Sequence, residues 1–391
     1  MNRYLLLFLV FGLFIAGCTQ PGEEATPTAT PAAPAAPGST SVESTPAGGG
    51  TITLGGILPL SGGAAAYGIP VQQGMQLAVE EINELGGVNG KMLEIVYEDT
   101  QCSSTMAANG IQKLISEDGV QAVVGEMCSS ATLPASVIAE QNGVVLISPA
   151  STSPALTNAG DYIFRTVPSD TVQAKQTAEL VHNLGYRTVA MLYINDDYGL
   201  GFTDVFEAES NALGVEIVAR EAFERDTTNL RTHLTKIKIE NPDALLIVSN
   251  APAPAAAALK QAKELAINAQ VFASEGLYDE SVIEGAAGGA EGMFINYLGP
   301  SDAFKSAYRT RYGEGPGIFA AEAYDAVHAI AKAIQQGGEG RTQIKDALYG
   351  VGFDGASGSI AFDANGDLQE DPSESAYDVA RVVDGEFVPY P

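Results

Sequence analysis

The chain has 391 residues, of which 48 are acidic and 20 basic, for a formal charge of −28. That balance excludes a nucleic-acid partner, whose phosphates would be repelled, and it favours solubility. Hydrophobic residues make up 46%, with 43 Gly and no Trp, which suits a compact α/β protein.

Arg3 supplies a positive start, Leu5 to Ile15 form an apolar run, and Ala16-Gly17 close it before Cys18. This is the layout of a secretory signal peptide over residues 1–17, and the run is shorter than the ~20 residues that cross a bilayer. Ile15-Ala16-Gly17-Cys18 resembles the lipobox of prokaryotic lipoproteins. The resemblance implies that Cys18 is lipidated, becomes the new N-terminus, and tethers the protein to the outer face of the cell membrane. An ordinary signal peptide with an incidental cysteine is the alternative. Residues 19–50 are almost entirely Thr, Pro, Ala, Gly, Ser and Glu without an aromatic. Such a stretch cannot bury enough apolar area to offset its chain entropy, so residues 18–50 are expected to form a disordered leash of roughly 30 Å r.m.s..

From Thr51 onward, short β-rich runs alternate with amphipathic segments. Strands are expected at 52–58, 92–98, 122–124 and 144–147, with helices at 68–85, 105–117 and 131–141. The series resumes after an extended stretch at 162–166. Helices are expected at 171–184, 202–213, 230–239 and 255–265, and strands at 188–194, 216–221, 244–249 and 271–273. Strands separated by helices imply βαβ units and parallel sheets. The series is too long for one sheet and restarts near Pro168, which predicts two doubly wound lobes. Cys102 and Cys128 form an even pair, which reads as a disulfide in an oxidising compartment, two free thiols being the alternative. Zinc is disfavoured because neither cysteine has a nearby histidine or CxxC partner.

Ligands of open α/β sheets bind beyond the carboxyl ends of strands, which directs attention to the loops there. Those loops read Gly56-Ile57-Leu58-Pro59-Leu60-Ser61-Gly62, Tyr67-Gly68, Cys128-Ser129-Ser130, Ser148-Pro149-Ala150-Ser151-Thr152, Asp197-Tyr198-Gly199 and Glu275-Gly276. With Ala78 to Asn83, Gly86 to Gly90, and Asp99 before Cys102, they resemble the leucine/isoleucine/valine-binding proteins that serve ABC transporters. The resemblance covers 51–391. It implies two Rossmann-like lobes of the type I periplasmic-binding-protein fold, joined by three hinge crossovers near 168, 297 and 370. One lobe would comprise 51–168 and 298–370, the other 169–297 and 371–391.

An amino acid presents a carboxylate, an ammonium and a side chain, and its receptor needs a group for each. Ser129 and Ser130 open a helix whose free N–H groups and dipole favour an anion. The family match makes the Ser129 hydroxyl a candidate for the ligand carboxylate; Ser130 reads better as a helix cap. Ala150, Ser151 and Thr152 follow a buried strand, where the Ala150 carbonyl and Thr152 hydroxyl suit an ammonium; a turn before Pro154 is the plain alternative. Glu275, after an apolar strand, is the candidate counter-charge for the ammonium, since buried charges persist only when paired. Tyr67 and Tyr198 precede glycines in loops from opposite lobes and are expected to close over the ligand. Met127 and Phe319 stand where the resemblance implies apolar groups around the ligand side chain. Asn250 departs from the pattern: family members that bind branched amino acids carry an aromatic hydroxyl near this position.

Catalysis would need an activated nucleophile, a metal or a cofactor motif, and no GxSxG, HExxH, Walker or GxGxxG motif is present. His182, His233 and His328 all lie in helical patterns and are expected on faces rather than in a cleft. Asp363, Asn365, Asp367 and Glu374 match EF-hand spacing, but Leu368 replaces the needed glycine, so a turn at Asn365-Gly366 is expected instead. The reading is a monomeric, lipid-tethered solute-binding protein without cofactor or metal. It would capture an amino-acid-like ligand and pass it to an ABC permease and its ATPase. A receptor for a short amide, urea or small acid, or a sensory protein, is the alternative.

Overall fold

The computed structural model describes residues 49–369 and 376–391. The leader, the Cys18 lipidation site, the linker up to 48, and Glu374 lie outside the described residues.

In chain order the elements are β1 (Thr51–Leu58), α1 (Ala65–Glu84), β2 (Met92–Asp99), α2 (Ser104–Ser116), β3 (Ala122–Gly125), α3 (Ser129–Gln141), β4 (Val145–Ser148) and β5 (Ile163–Arg165). There follow α4 (Asp170–Asn183), β6 (Thr188–Ile194), α5 (Asp197–Ala212), β7 (Glu216–Phe223), α6 (Arg231–Glu240), β8 (Ala244–Val248), α7 (Pro252–Glu264), β9 (Gln270–Ala273), α8 (Glu280–Gly285) and β10 (Phe294–Tyr297). The chain ends with α9 (Asp302–Tyr312), α10 (Ala320–Gly337), α11 (Arg341–Leu348), the pair β11 (Gly352–Asp354) and β12 (Ser359–Ala361), then β13 (Asp378–Val383) and β14 (Glu386–Pro389).

Among the described residues, one sheet runs β2-β1-β3-β4-β5, all parallel. The other runs β14-β13-β10-β9-β8-β6-β7, parallel except where β13 pairs with β10 and β14. The inner strands β3, β4 and β8 are buried along their whole length. This explains their continuous Ala/Val/Leu/Ile runs, because helices cover both faces of a parallel sheet. Under α2 and α3 one cluster fills a face of the first sheet, and two larger cores lie one in each lobe. One gathers β1, β3, β4, α1 and α10, including Leu54, Val124, Ile147 and Ile330. The other gathers β6, β8, α4 and α5, including Leu192, Leu246, Phe202 and Val181. The chain passes between the two sheets after Arg165, after Tyr297, and between Leu368 and Asp378.

Helix starts are set by side chains that accept otherwise orphaned N–H groups: Ser103 from Met106, Ser169 from Thr171, Asp196 from Tyr198 and Gly199. The Asp196 cap starts α5 five residues earlier than the apolar pattern suggests. Tyr67 likewise lies in the first turn of α1. Both tyrosines therefore sit on helices, not in loops. Ser130 is not the cap of α3: the helix begins at Ser129 after Cys128, and the Ser130 carbonyl accepts from Ser104 Oγ. The turn at Asn365-Gly366 is formed, with Asp363 Oδ1 accepting from the Asn365 and Asp367 amides. Arg165 fastens it, donating through Nε to Asp367 Oδ1 at 2.7 Å.

Cys102 and Cys128 are joined by a disulfide, Cα atoms 5.5 Å apart across 26 positions. It ties the β2–α2 turn to the start of α3. In the chain-entropy model such a loop contributes about 3 kcal/mol. The double variant Cys102→Ser/Cys128→Ser should lose roughly that much stability in urea denaturation. A loss below about 1 kcal/mol would mean that the surrounding core holds α3 without the bond.

Candidate ligand site between the lobes

The carboxyl-end loops of the two sheets face each other across a narrow pocket. Pro59, Ala64, Tyr67, Met127, Cys128, Ser129, Ala150, Ile318 and Phe319 line it from one lobe, and Tyr198, Asn250, Glu275 and Gly276 from the other. Eight of the ten ligand candidates named from the sequence therefore meet in one place. Ser151 and Thr152 are not in its wall. Ser151 turns inward, its hydroxyl 2.5 Å from Thr132 Oγ1 and 3.1 Å from the Glu126 carbonyl. Thr152 serves the crossing between lobes: its carbonyl accepts from the Asp170 amide at 2.8 Å and from Arg165 Nη1 at 3.0 Å.

The two tyrosines reach the pocket because each is followed by glycine. A Cβ on Gly68 would collide with the Pro59 carbonyl, and one on Gly199 with the Ile194 carbonyl. The glycines let the first turns of α1 and α5 lie flush against the ends of β1 and β6. Tyr67 Oη then crosses the cleft and donates to the Gly276 carbonyl at 2.7 Å, while Tyr198 Oη donates to Glu275 Oε2 at 3.0 Å. Burial holds both hydroxyls well above the usual tyrosine range, so they remain donors.

At one end of the pocket stands the N-terminus of α3. Its Ser129 Oγ accepts from the Ser153 amide at 3.3 Å. Glu126, fully buried, braces this end: it accepts from Thr100 Oγ1 at 2.6 Å and from the Cys128 amide. Burial, opposed by these donors, pushes its carboxyl up to about 7. A helix N-terminus of this kind favours an anion.

At the other end stands Glu275, 2% exposed, with Gln173 and Tyr198 against its carboxyl. Burial pushes Glu275 up to about 6. Asp170, the first residue of α4, is fully buried nearby; burial and then the Glu275 charge hold its carboxyl well above the usual range. Neither carboxyl meets a Lys or Arg within 4 Å among the described residues. The neighbouring cations are engaged elsewhere: Arg165 with Asp367, and Arg225 Nη2 with Asp196 Oδ2 at 2.7 Å. Arg225 also donates to the Asn250 carbonyl at 3.4 Å, while Asn250 Oδ1 is buried without a hydrogen-bond partner. The pocket thus offers the α3 N-terminus from one lobe and the Glu275 carboxyl from the other, with Asp170 buried close to Glu275 and with Tyr67, Met127 and Phe319 also in the wall.

Asp170, Asp196 and Arg225 escaped the sequence reading. Asp170 and Asp196 look like ordinary helix-start acids, and Arg225 lies in an irregular stretch without a motif. His182 and His233 lie on α4 and α6 as expected, but His328 lines a surface cavity with Asp325 and Lys332. Burial holds it at about 4, so it stays neutral there.

The raised carboxyls fix a pH dependence. Unfolded, Glu126 and Glu275 release their protons near 4.5; folded, they hold them to about 7 and about 6. The ligand-free fold is therefore favoured below pH 4.5 by this pair and loses that advantage as pH rises through 6 and 7. The urea midpoint of ligand-free protein should fall from pH 5 to pH 8, less steeply in Glu275→Gln. A midpoint that climbs across that window would contradict the desolvation of these groups.

The family model for periplasmic binding protein matches residues 51–386. The chain is 31% identical over 320 residues to the "Leucine-, isoleucine-, valine-, threonine-, and alanine-binding protein" of Pseudomonas aeruginosa, covering 80% of this chain and 85% of that one. Leucine binding protein LivK from Thermotoga maritima superposes with a TM-score of 0.80 at 28% identity, covering 87% of this chain and 98% of that chain. The branched-chain amino acid transporter substrate binding protein LivJ of Streptococcus pneumoniae, in complex with isoleucine, gives 0.78 at 32% identity, covering 87% and 100%. Two doubly wound lobes, three crossings and a pocket between strand ends agree with that likeness. The chain belongs to the periplasmic binding protein family and is a binding protein of the type I fold, not an enzyme.

Proposed function

We propose that this protein captures a free α-amino acid with a small apolar side chain, branched-chain amino acids first, and delivers it to an ABC importer. The observation that carries the reading is the pair of buried carboxyls, Glu275 and Asp170, without an ion-pair partner among the described residues, across the pocket from the α3 N-terminus. A ligand ammonium supplies the missing charge, and its carboxylate meets Ser129 and the adjacent N–H groups. Tyr67, Met127 and Phe319 enclose the side chain. The relatives named for leucine, isoleucine and valine support the same ligand class. A ligand that touches both lobes stabilises their closed arrangement, a hinge mechanism whose closed form docks on the permease. The leader and Cys18 support export and a lipid tether, with residues 18–50 as the leash.

One observation favours a second reading. The unpartnered Asn250 Oδ1 suits a ligand side chain that carries an N–H or O–H, such as a short amide or a hydroxy amino acid.

A thermal-shift panel of amino acids, urea and short amides, on protein refolded to strip bound ligand, separates these. Ligand at 100 Kd adds about 2.7 kcal/mol of stability. Leucine, isoleucine or valine should shift the transition; folded protein silent to every amino acid would defeat the assignment. Glu275→Ala should weaken amino-acid binding by about 3–5 kcal/mol in calorimetry, the cost of leaving a buried charge unpaired.

A further inference from the structure

The narrow pocket ends at Ile318 and Phe319. On the far side of these two residues lies a much larger cavity between the lobes, with about 2130 Å³ of empty space including its open mouth. The ligand reading above makes no use of it.

Its charge is one-sided. Asp279, Glu280 and Glu284 line it from the second lobe with Glu386, and Glu314 faces them from the first. None of the five pairs with a Lys or Arg among the described residues. Arg309, whose guanidinium reaches Gly315 at the rim, makes no ion pair among them either. Deeper in, on the first turn of α10, Glu322 lines the same cavity while only 4% exposed. Among the described residues no Lys or Arg pairs with its carboxyl, and the like-signed Asp325 adds to the cost of charging it. A carboxylate buried against a cavity without a counter-charge is costly unless a cation arrives. Burial pushes Glu322 up to about 8, so an arriving cation exchanges for its proton.

The wall chemistry decides which cation. No three of these carboxylates bring oxygens within 4.8 Å of one another, the spacing that a metal ion would need. Apart from Gln73, whose side-chain oxygen accepts from Tyr308, the remaining wall is apolar and aromatic: Ile69 and Leu298 flank it, and the Tyr278 ring stacks on Tyr297 at 4.7 Å and on Phe387 at 4.3 Å. Aromatic faces and carboxylates together suit an ammonium carried on a hydrocarbon body.

We propose that the interlobe cavity beyond Phe319 is a second binding site, for an aliphatic amine whose ammonium sits against Glu322.

The test is calorimetry on the full chain at pH 8.5 with putrescine as probe, alone and with the narrow pocket filled by leucine. Putrescine should bind in both cases. Glu322→Gln, which removes charge but little volume, should weaken putrescine at least tenfold while leaving leucine within twofold. Glu275→Ala should weaken leucine and leave putrescine. Absence of putrescine binding at millimolar concentration overturns the site. So does putrescine binding that is lost in Glu275→Ala but kept in Glu322→Gln, which would place the amine in the narrow pocket. Should Glu322→Gln fail to fold, the exposed pair Glu280→Gln/Glu284→Gln reads the same rim. Putrescine affinity should drop about threefold there, and an unchanged affinity counts against the proposal.

Discussion

Glu275 and Asp170 share a space from which water is largely excluded, and among the described residues no basic side chain comes within ion-pair distance of either. Taking a carboxylate out of water costs several kcal/mol when nothing compensates it. The fold carries that cost at the junction of its lobes, where a ligand can relieve it. Arg165 sits close enough to ease the field at Asp170, yet it and Arg225 spend their hydrogen bonds on Asp367, Asp196 and backbone carbonyls. They position the walls and leave the charge open. An internal lysine at the same spot would stabilise the empty protein and abolish the difference between empty and filled.

The architecture serves this arrangement with ordinary means. Parallel sheets deliver all their carboxyl-end loops to one edge, and two such sheets face those edges toward each other. One lobe contributes the α3 N-terminus, fastened by the Cys102–Cys128 bond and braced by Glu126. The other contributes the acids. On the proposed function the ends of a zwitterion go to different lobes, so that holding the ligand and holding the lobes together become the same act.

Much of this was legible in the chain. Continuous apolar runs such as Ala244–Val248 announce covered parallel strands, and Tyr67, Ser129, Tyr198 and Glu275 stand just past the strand ends where a site is expected. Ser151 and Thr152 read as ligand groups because a Ser-Thr pair after a strand looks the same whether it faces a pocket or a neighbouring helix. Only tertiary packing against Thr132 and Asp170 decides between the two. The pattern also fades after Ala273. There β10 is only four residues long and is completed by β13, more than eighty positions later and antiparallel. Local periodicity carries no trace of such a distant partner. The Asp384-Gly385 turn between β13 and β14 has both residues at positive φ, the geometry that an Asp-Gly pair favours in a hairpin.

The bond from Tyr67 to residue 276 joins positions 209 apart in the chain and has an unusual genetic property. Its acceptor is a main-chain carbonyl, which no substitution at position 276 can delete. Nor can that position readily vary, because a Cβ there would strike the Ser249 carbonyl at the end of β8. The contact between lobes is therefore adjustable from one side only. Drift in the second lobe can reshape the pocket around Asn250 while the catch between the lobes stays the same.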